Sequence, residues 1–187
     1  MVQSPPQNLT LVEFLALPEG DTAYELVDGQ AIPKVSPKFF HSTTQKKLLF
    51  LLDPWSQGRG RVESEWAVTL KRDGKDWVPV PDLLYISYDR LAADWMADEA
   101  CPVPPDLVIE IISPGQTFGE MTEKATDYLT AGVSRVWIVD SRSRSLTAFL
   151  PDSLPRTYRG DVSVVDSLLP DLKLTAQQIF PQPGLPG

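Results

Sequence analysis

The sequence predicts an α/β fold, an α+β arrangement in which a mixed sheet is flanked by helices, and three observations predict it. Residues 80–86 (VPDLLYI) and 106–112 (DLVIEII) are apolar and β-branched over strand length, the pattern of strands buried on both faces. Residues 122–131 read as a helix between the second run and a further strand at 133–139, so a right-handed strand–helix–strand crossover is expected from 107 to 139. The segments before the first run turn and alternate as antiparallel strands do, which makes the sheet mixed.

Each element has a local reason. Residues 1–8, with Pro5 and Pro6, read as a loose arm, and 181–187 as an unstructured tail, leaving 9–180 as one domain. Residues 10–17 form a short helix: Thr10 caps it, Glu13 follows three residues later and Pro18 stops it. Residues 23–32 read as a hairpin turning at Asp28-Gly29. Residues 42–52 are a helix with Leu48, Leu49, Leu51 and Leu52 toward the core, ended by Asp53-Pro54. Residues 61–70 alternate as a strand, and 71–76 are a polar turn. An insertion, or a short helix and a Pro-rich loop, fills 88–105. Ser113-Pro114-Gly115 breaks the second apolar strand, and Gly132 stands at the C-cap of the following helix. Strands at 146–150 and 163–165 and a helical turn within 172–180 complete the chain.

Composition narrows the function. A net charge of -8 and a pI near 4.6 argue against a nonspecific nucleic-acid coat, which would be basic. They leave room for a nuclease, because metal ions and a local basic strip offset acids around a site. No apolar run approaches the ~20 residues that span a bilayer, and the N-terminus lacks a basic region followed by an apolar core. A cytoplasmic protein with no membrane partner is expected. The single cysteine, Cys101, and single histidine, His41, make neither an internal disulfide nor a zinc site.

The chemistry lies in the acids that interrupt the two apolar strands, Asp82 and Glu110. A carboxylate in such a strand is costly unless cations or hydrogen-bond donors compensate it. If the strands are neighbours, about 4.8 Å apart, the two acids converge on one divalent ion. Each has a plainer rival: Asp82 as a turn cap after Pro81, Glu110 as the partner of Lys124 in a buried ion pair. Lys124 also stands one helical turn from Glu120, as an ordinary surface pair does. Glu25 could be solvated or paired across strands. His41 is more simply a structural hydrogen-bonder than a general base. Asp106 lies about 13 Å along the strand from Glu110 and reads as a strand-start residue. Lys46, Lys47, Lys71, Arg72 and Lys75 read as a solvated face. The five tryptophans, Trp55, Trp66, Trp77, Trp95 and Trp137, read as core or interface and not as base-stacking platforms.

Taken in order, Tyr24-Glu25-Leu26-Val27-Asp28-Gly29, His41, Pro81-Asp82, residues 105–114 (PDLVIEIISP), Lys124, Tyr128, Gly132-Val133 and residues 136–140 (VWIVD) resemble the bacterial restriction endonuclease family of the PD-(D/E)XK nuclease superfamily. The resemblance covers residues 9–180. It implies a restriction endonuclease-like core, DNA as substrate, Asp82 as the motif aspartate and Glu110 as the motif acid. The chain departs from the superfamily pattern at Ile112, where a lysine is expected, and Lys124 is the family's match for it. Mg²⁺ or Mn²⁺ held by Asp82 and Glu110 would polarise the phosphate and lower the pKa of a bound water. Lys124 would orient that water or neutralise developing charge. Glu25 would support the metal, and His41 stand behind it. Without metal one of the two acids should hold its proton more tightly than usual. Such enzymes often act as symmetric dimers, so a homodimer is expected. Two other functions compete: a noncatalytic interaction module that keeps the nuclease fold, and a metal-dependent hydrolase of another phosphate ester.

Overall fold

The computed structural model describes residues 8–18, 20 and 22–180. The expected tail at 181–187 and all but Asn8 of the expected arm lie outside them. The first helix, α1 (Leu11–Leu15), carries the full capping box of Thr10 and Glu13. Strands β1 (Tyr24–Val27) and β2 (Gln30–Pro33) pair antiparallel about Asp28 and Gly29. Both turn residues take positive φ, +50° and +77°, as a tight primed hairpin requires.

Helix α2 (Phe39–Ser56) is longer at both ends than its sequence suggests and contains Pro54. A proline this close to the end forfeits one bond, to the carbonyl of Phe50, whose residue faces solvent. Leu48 and Leu52 are buried, whereas Leu49 and Leu51 pack only at the margin. The strand expected over 61–70 is two: β3 (Gly60–Ser64) and β4 (Leu70–Arg72). Glu65 ends the first by turning into the left-handed region, φ +54°. The expected polar turn is itself the hairpin of β4 with β5 (Lys75–Trp77), closed by Asp73-Gly74.

The apolar runs form β6 (Leu83–Ser87) and β7 (Leu107–Ile111), antiparallel neighbours. Residues 88–105 carry no helix or named strand. Helix α3 (Phe118–Thr130) begins a turn earlier than residue 122, at a second capping box made by Thr117 and Glu120. It leads to β8 (Arg135–Asp140), which pairs parallel with β7. Strand β9 (Ser145–Phe149) follows, then β10 (Arg156–Arg159), a polar edge strand with only Tyr158 buried. The strand expected at 163–165 is a single bridge from Ser163 to Thr175. Helix α4 (Ala176–Ile179) closes the described chain.

The six-stranded sheet runs β10-β9-β8-β7-β6-β3, parallel only between β7 and β8. Alternation divides its side chains between two cores. Leu83, Tyr85, Leu107, Ile109, Ile111 and Trp137 meet Leu48 and Leu52 of α2. Leu84, Ile86, Val108, Val136 and Ile138 meet Met121, Ala125 and Tyr128 of α3. Among the described residues no helix is long and apolar enough to cross a membrane.

Candidate active site

The register of β6 and β7 ends with Leu83 opposite Ile109, so one step further brings Asp82 opposite Glu110. Both acids are buried, at 2% and 4% exposure. Glu110 shares strand parity with Val108 and therefore points to α3, where Tyr128 donates to its Oε1 at 2.8 Å and the Lys124 ammonium sits 3.0 Å away. Lys124 also donates to Glu25 Oε1 at 3.0 Å. Glu25 is brought there by β1. Leu26 exchanges two backbone bonds with Val78, both 3.0 Å, while Glu25 Oε1 accepts the Val80 amide at 3.0 Å.

Asp82 has its own partners. Its Oδ2 accepts from the Ile111 amide at 2.7 Å and from His41 Nε2 at 3.0 Å. Its Oδ1 accepts from Lys34 at 2.9 Å. Lys34 follows directly on β2, kept in line by its amide bond to Ala23 at 2.8 Å, and its ammonium also pairs with Glu65. Gln45, one turn after His41 on α2, donates to Glu65 at 2.8 Å and to the Asp82 carbonyl at 2.9 Å. His41 Nδ1 is buried with no protein partner among the described residues.

The structure thus gathers Asp82, Glu110, Lys124, Glu25 and His41 into one cluster. Lys124 does not pair with Glu120, whose carboxylate is spent on the Thr117 cap. Asp106 stands apart, accepting from the Ser87 amide at 2.7 Å and pairing with Arg90 at 3.0 Å. Sequence reasoning missed Lys34, Gln45, Glu65 and the role of Tyr128. Tyr128 was readable, four residues after Lys124 on one helix face. The other three depend on how hairpin, helix and sheet edge meet, which no local pattern reports.

Electrostatics separates the two central acids. Burial pushes Glu110 up to about 7; the charges of Asp82 and Glu25 push the same way, and Lys124 only partly opposes them. Burial works against the charge of Asp82 too, but His41, Lys34 and the Ile111 amide together hold it below the usual carboxylate range. Lys124 stays above its ordinary value despite burial, because Glu110 and Glu25 face it. Lys34 does likewise against Asp82 and Glu65. Burial and the Glu110 charge keep the Tyr128 phenol protonated well beyond its usual range.

Four carboxylates, Asp82, Glu110, Glu25 and Glu65, therefore share two ammonium groups. Among the described residues no group of three or more His, Cys, Asp and Glu is placed to hold a metal ion. The donor set that exists is a pair of hard carboxylates with a deficit of positive charge, which suits an ion that keeps water and phosphate oxygens in its shell. Both ends of the cluster reach solvent: Glu25 and Lys124 line a cleft of about 370 Å³ with Trp77, and Glu65 lines another of about 530 Å³.

The mixed sheet thus brings Asp82 and Glu110 together at the adjoining ends of β6 and β7, while their lysines come from elsewhere, Lys34 from just after β2 and Lys124 from α3. Residues 11–177 match the Uma2 family, described as "Putative restriction endonuclease", and the chain belongs to that family. Its fold is similar to that of a "putative nuclease belonging to DUF820" from Anabaena variabilis ATCC 29413, with a TM-score of 0.79 and 26% identity over 92% of this chain and 97% of that one. No curated protein matches.

Proposed function

We propose that the chain is a metal-dependent endonuclease that hydrolyses DNA phosphodiester bonds, with Asp82 and Glu110 as ligands of Mg²⁺ or Mn²⁺. The observation that carries this reading is the buried acid pair at the adjoining ends of β6 and β7, in a cluster where four carboxylates share two ammonium groups. The ion, when bound, would supply Lewis acidity at the phosphate and a more acidic water.

The chain's own residues do the rest. Lys124, fixed by Glu25 and Glu110, holds a proton at Nζ and orients the attacking water. Lys34 places a second ammonium beside Asp82, where it neutralises charge on a nonbridging oxygen. Glu25 positions Lys124 and would orient a metal-bound water. His41 and the Ile111 amide fix the Asp82 carboxylate through its Oδ2 and act through it, not on the substrate. Phe39, Phe40 and Phe50, exposed by 64–73% along α2, support a homodimer, since two copies could cover them and address both strands of a duplex. The reading is of a cytoplasmic enzyme.

One observation favours a noncatalytic interaction module instead. Each central acid already has a lysine, so the cluster tolerates the absence of metal. Nicking of supercoiled plasmid in Mg²⁺, Mn²⁺ and EDTA decides between them. Metal-dependent nicking that falls at least about 100-fold in both Asp82→Ala and Glu110→Ala is expected. Nicking at the parental rate by either variant would overturn the assignment. No nicking by the parent in any metal would favour the module or another phosphate ester as substrate.

A further inference from the structure

The 530 Å³ groove at the sheet edge is unlike the rest of the site, because it is aromatic and acidic at once. Beyond β3, Glu63, Glu65 and Asp98 line it together with Trp66, Trp95 and Met96. The two indoles meet at 5.7 Å between ring centroids, tilted by 41°. Trp66 is fixed by its Nε1, which donates to the Glu99 carbonyl at 2.8 Å. Trp95 is fixed by Arg61, whose guanidinium lies 6.0 Å from its ring and donates to the carbonyls of Ala92, Ala93 and Trp95 at 3.1–3.2 Å. The groove's one cation is thus committed to holding its wall together. What remains beside the two half-buried indoles is a flexible thioether exposed by 89% and the exposed carboxylates of Glu63 and Asp98.

Such a lining repels phosphate and accepts N–H groups. It suits a flat, uncharged, aromatic ligand bearing amino donors. Glu65 joins this groove to the candidate active site. Its carboxylate pairs with Lys34 and accepts from Gln45, its amide bonds the Asp82 carbonyl at 3.3 Å, and its backbone is held in the left-handed region at φ +54°. A non-glycine residue held there costs energy, and such residues concentrate where a side chain must be aimed.

We propose that this groove receives one unpaired nucleobase of the substrate strand, of the kind that carries an exocyclic amino group, while the adjoining phosphate lies toward Lys34. The inference rests on the nuclease reading and sharpens it: the substrate is DNA with an unstacked base beside the scissile bond, such as a single strand or a flap, in preference to a closed duplex. Stacking on an aromatic side chain supplies the affinity, and Glu63 and Asp98 supply the choice among bases.

Fluorescence anisotropy with dye-labelled probes tests it, read in Ca²⁺ and again in EDTA so that no cleavage is needed. The probes are short oligodeoxycytidine, short oligothymidine and a blunt duplex. Oligodeoxycytidine should bind tightest. Trp95→Ala should weaken it about tenfold, and Trp95→Phe should restore most of the loss. Glu63→Gln with Asp98→Asn, both at exposed positions, should keep the fold and erase the preference over oligothymidine. Equal affinity in Trp95→Ala and parent would overturn the proposal, as would a blunt duplex that binds as tightly as the single strands. Displacement of the probe by spermidine from parent but not from the acid-to-amide variant would overturn it too, since the groove would then be a cation site. A protein that binds the base but cleaves neither plasmid nor the single-stranded probes in Mg²⁺ or Mn²⁺ keeps the groove and loses the nuclease assignment. One that nicks plasmid but shows equal affinities loses this inference alone.

Discussion

Glu110 is closed off from water on a strand interior, and its response to pH follows from who faces it. Its folded-state pKa, about 7, stands above the ordinary carboxylate value of 4.5. Between those values the folded chain holds a proton that the unfolded chain has released. The contribution of Glu110 to stability therefore falls as pH rises through this window and is flat above it. Glu110→Gln removes the titration. At pH 8 it should be more stable than the parent by at most about 3 kcal/mol, a figure in which the attraction to Lys124 is already counted, while near pH 4.5 the difference should vanish. Thermal melts from pH 4.5 to 8 without divalent ions check this, and parallel pH profiles would overturn it. Lys34 gives a second prediction at the same scale. Lys34→Ala should reduce metal-dependent nicking about 100-fold while the parental melting temperature is largely kept, because Asp82 retains His41 and the Ile111 amide. A Lys34→Ala enzyme with full activity would show that the ammonium is only a structural counter-ion.

At the scale of elements, α3 is the part on which the most chemistry depends. Its N-terminus is fixed by Thr117 and Glu120, and Glu120 stands about one turn before Lys124 and two before Tyr128. Thr117→Ala should cost about 1 kcal/mol of stability, measurable by urea unfolding. A cost near zero would mean that packing of Met121, Ala125 and Tyr128 alone sets the helix start. How far each element could be read beforehand tracks how local its cause is. The α1 box, the Asp28-Gly29 hairpin, the two apolar strands and the β7–α3–β8 crossover all rest on neighbouring residues, and all were legible. The start of α3 was legible in principle, since Thr117 and Glu120 have the same spacing as Thr10 and Glu13. The division of 61–70 was not, because it turns on one glutamate taking a left-handed backbone that its side-chain contacts with Lys34 and Gln45 stabilise. Strand β10 was hidden by its polarity, since an edge strand with one buried tyrosine has no apolar alternation. In the site, Asp82 and Glu110 could be picked out as acids where acids do not belong. Lys34 and Glu65 could not, because β2 and β3 share no sheet and only the full fold brings their ends together.

Across the whole molecule, a chain of net charge -8 gathers four carboxylates around two ammonium groups at one place, with Asp82 and Glu110 buried there. A cation that binds there stabilises every element converging on it: the β1–β2 hairpin through Glu25 and Lys34, α2 through His41, the sheet through Asp82 and Glu110, and α3 through Lys124. Binding to the folded chain alone raises its stability by RT ln(1 + [L]/Kd), about 2.7 kcal/mol at a hundredfold excess over Kd. Mg²⁺ or Mn²⁺ should therefore raise the melting temperature of the parent, and more so at pH 8 than at pH 6. Glu110 carries a proton in much of the population at the lower pH and must release it to serve as a ligand. Asp82→Ala should abolish the increment at both pH values, and Glu110→Gln should abolish its pH dependence along with most of its size. A noncatalytic module whose lysines suffice would melt at the same temperature with and without the ion. Calorimetry of the three proteins in Mg²⁺ and in EDTA separates the two cases without a nucleic-acid substrate, and an increment that survives in Asp82→Ala would place the cation elsewhere on the acidic surface.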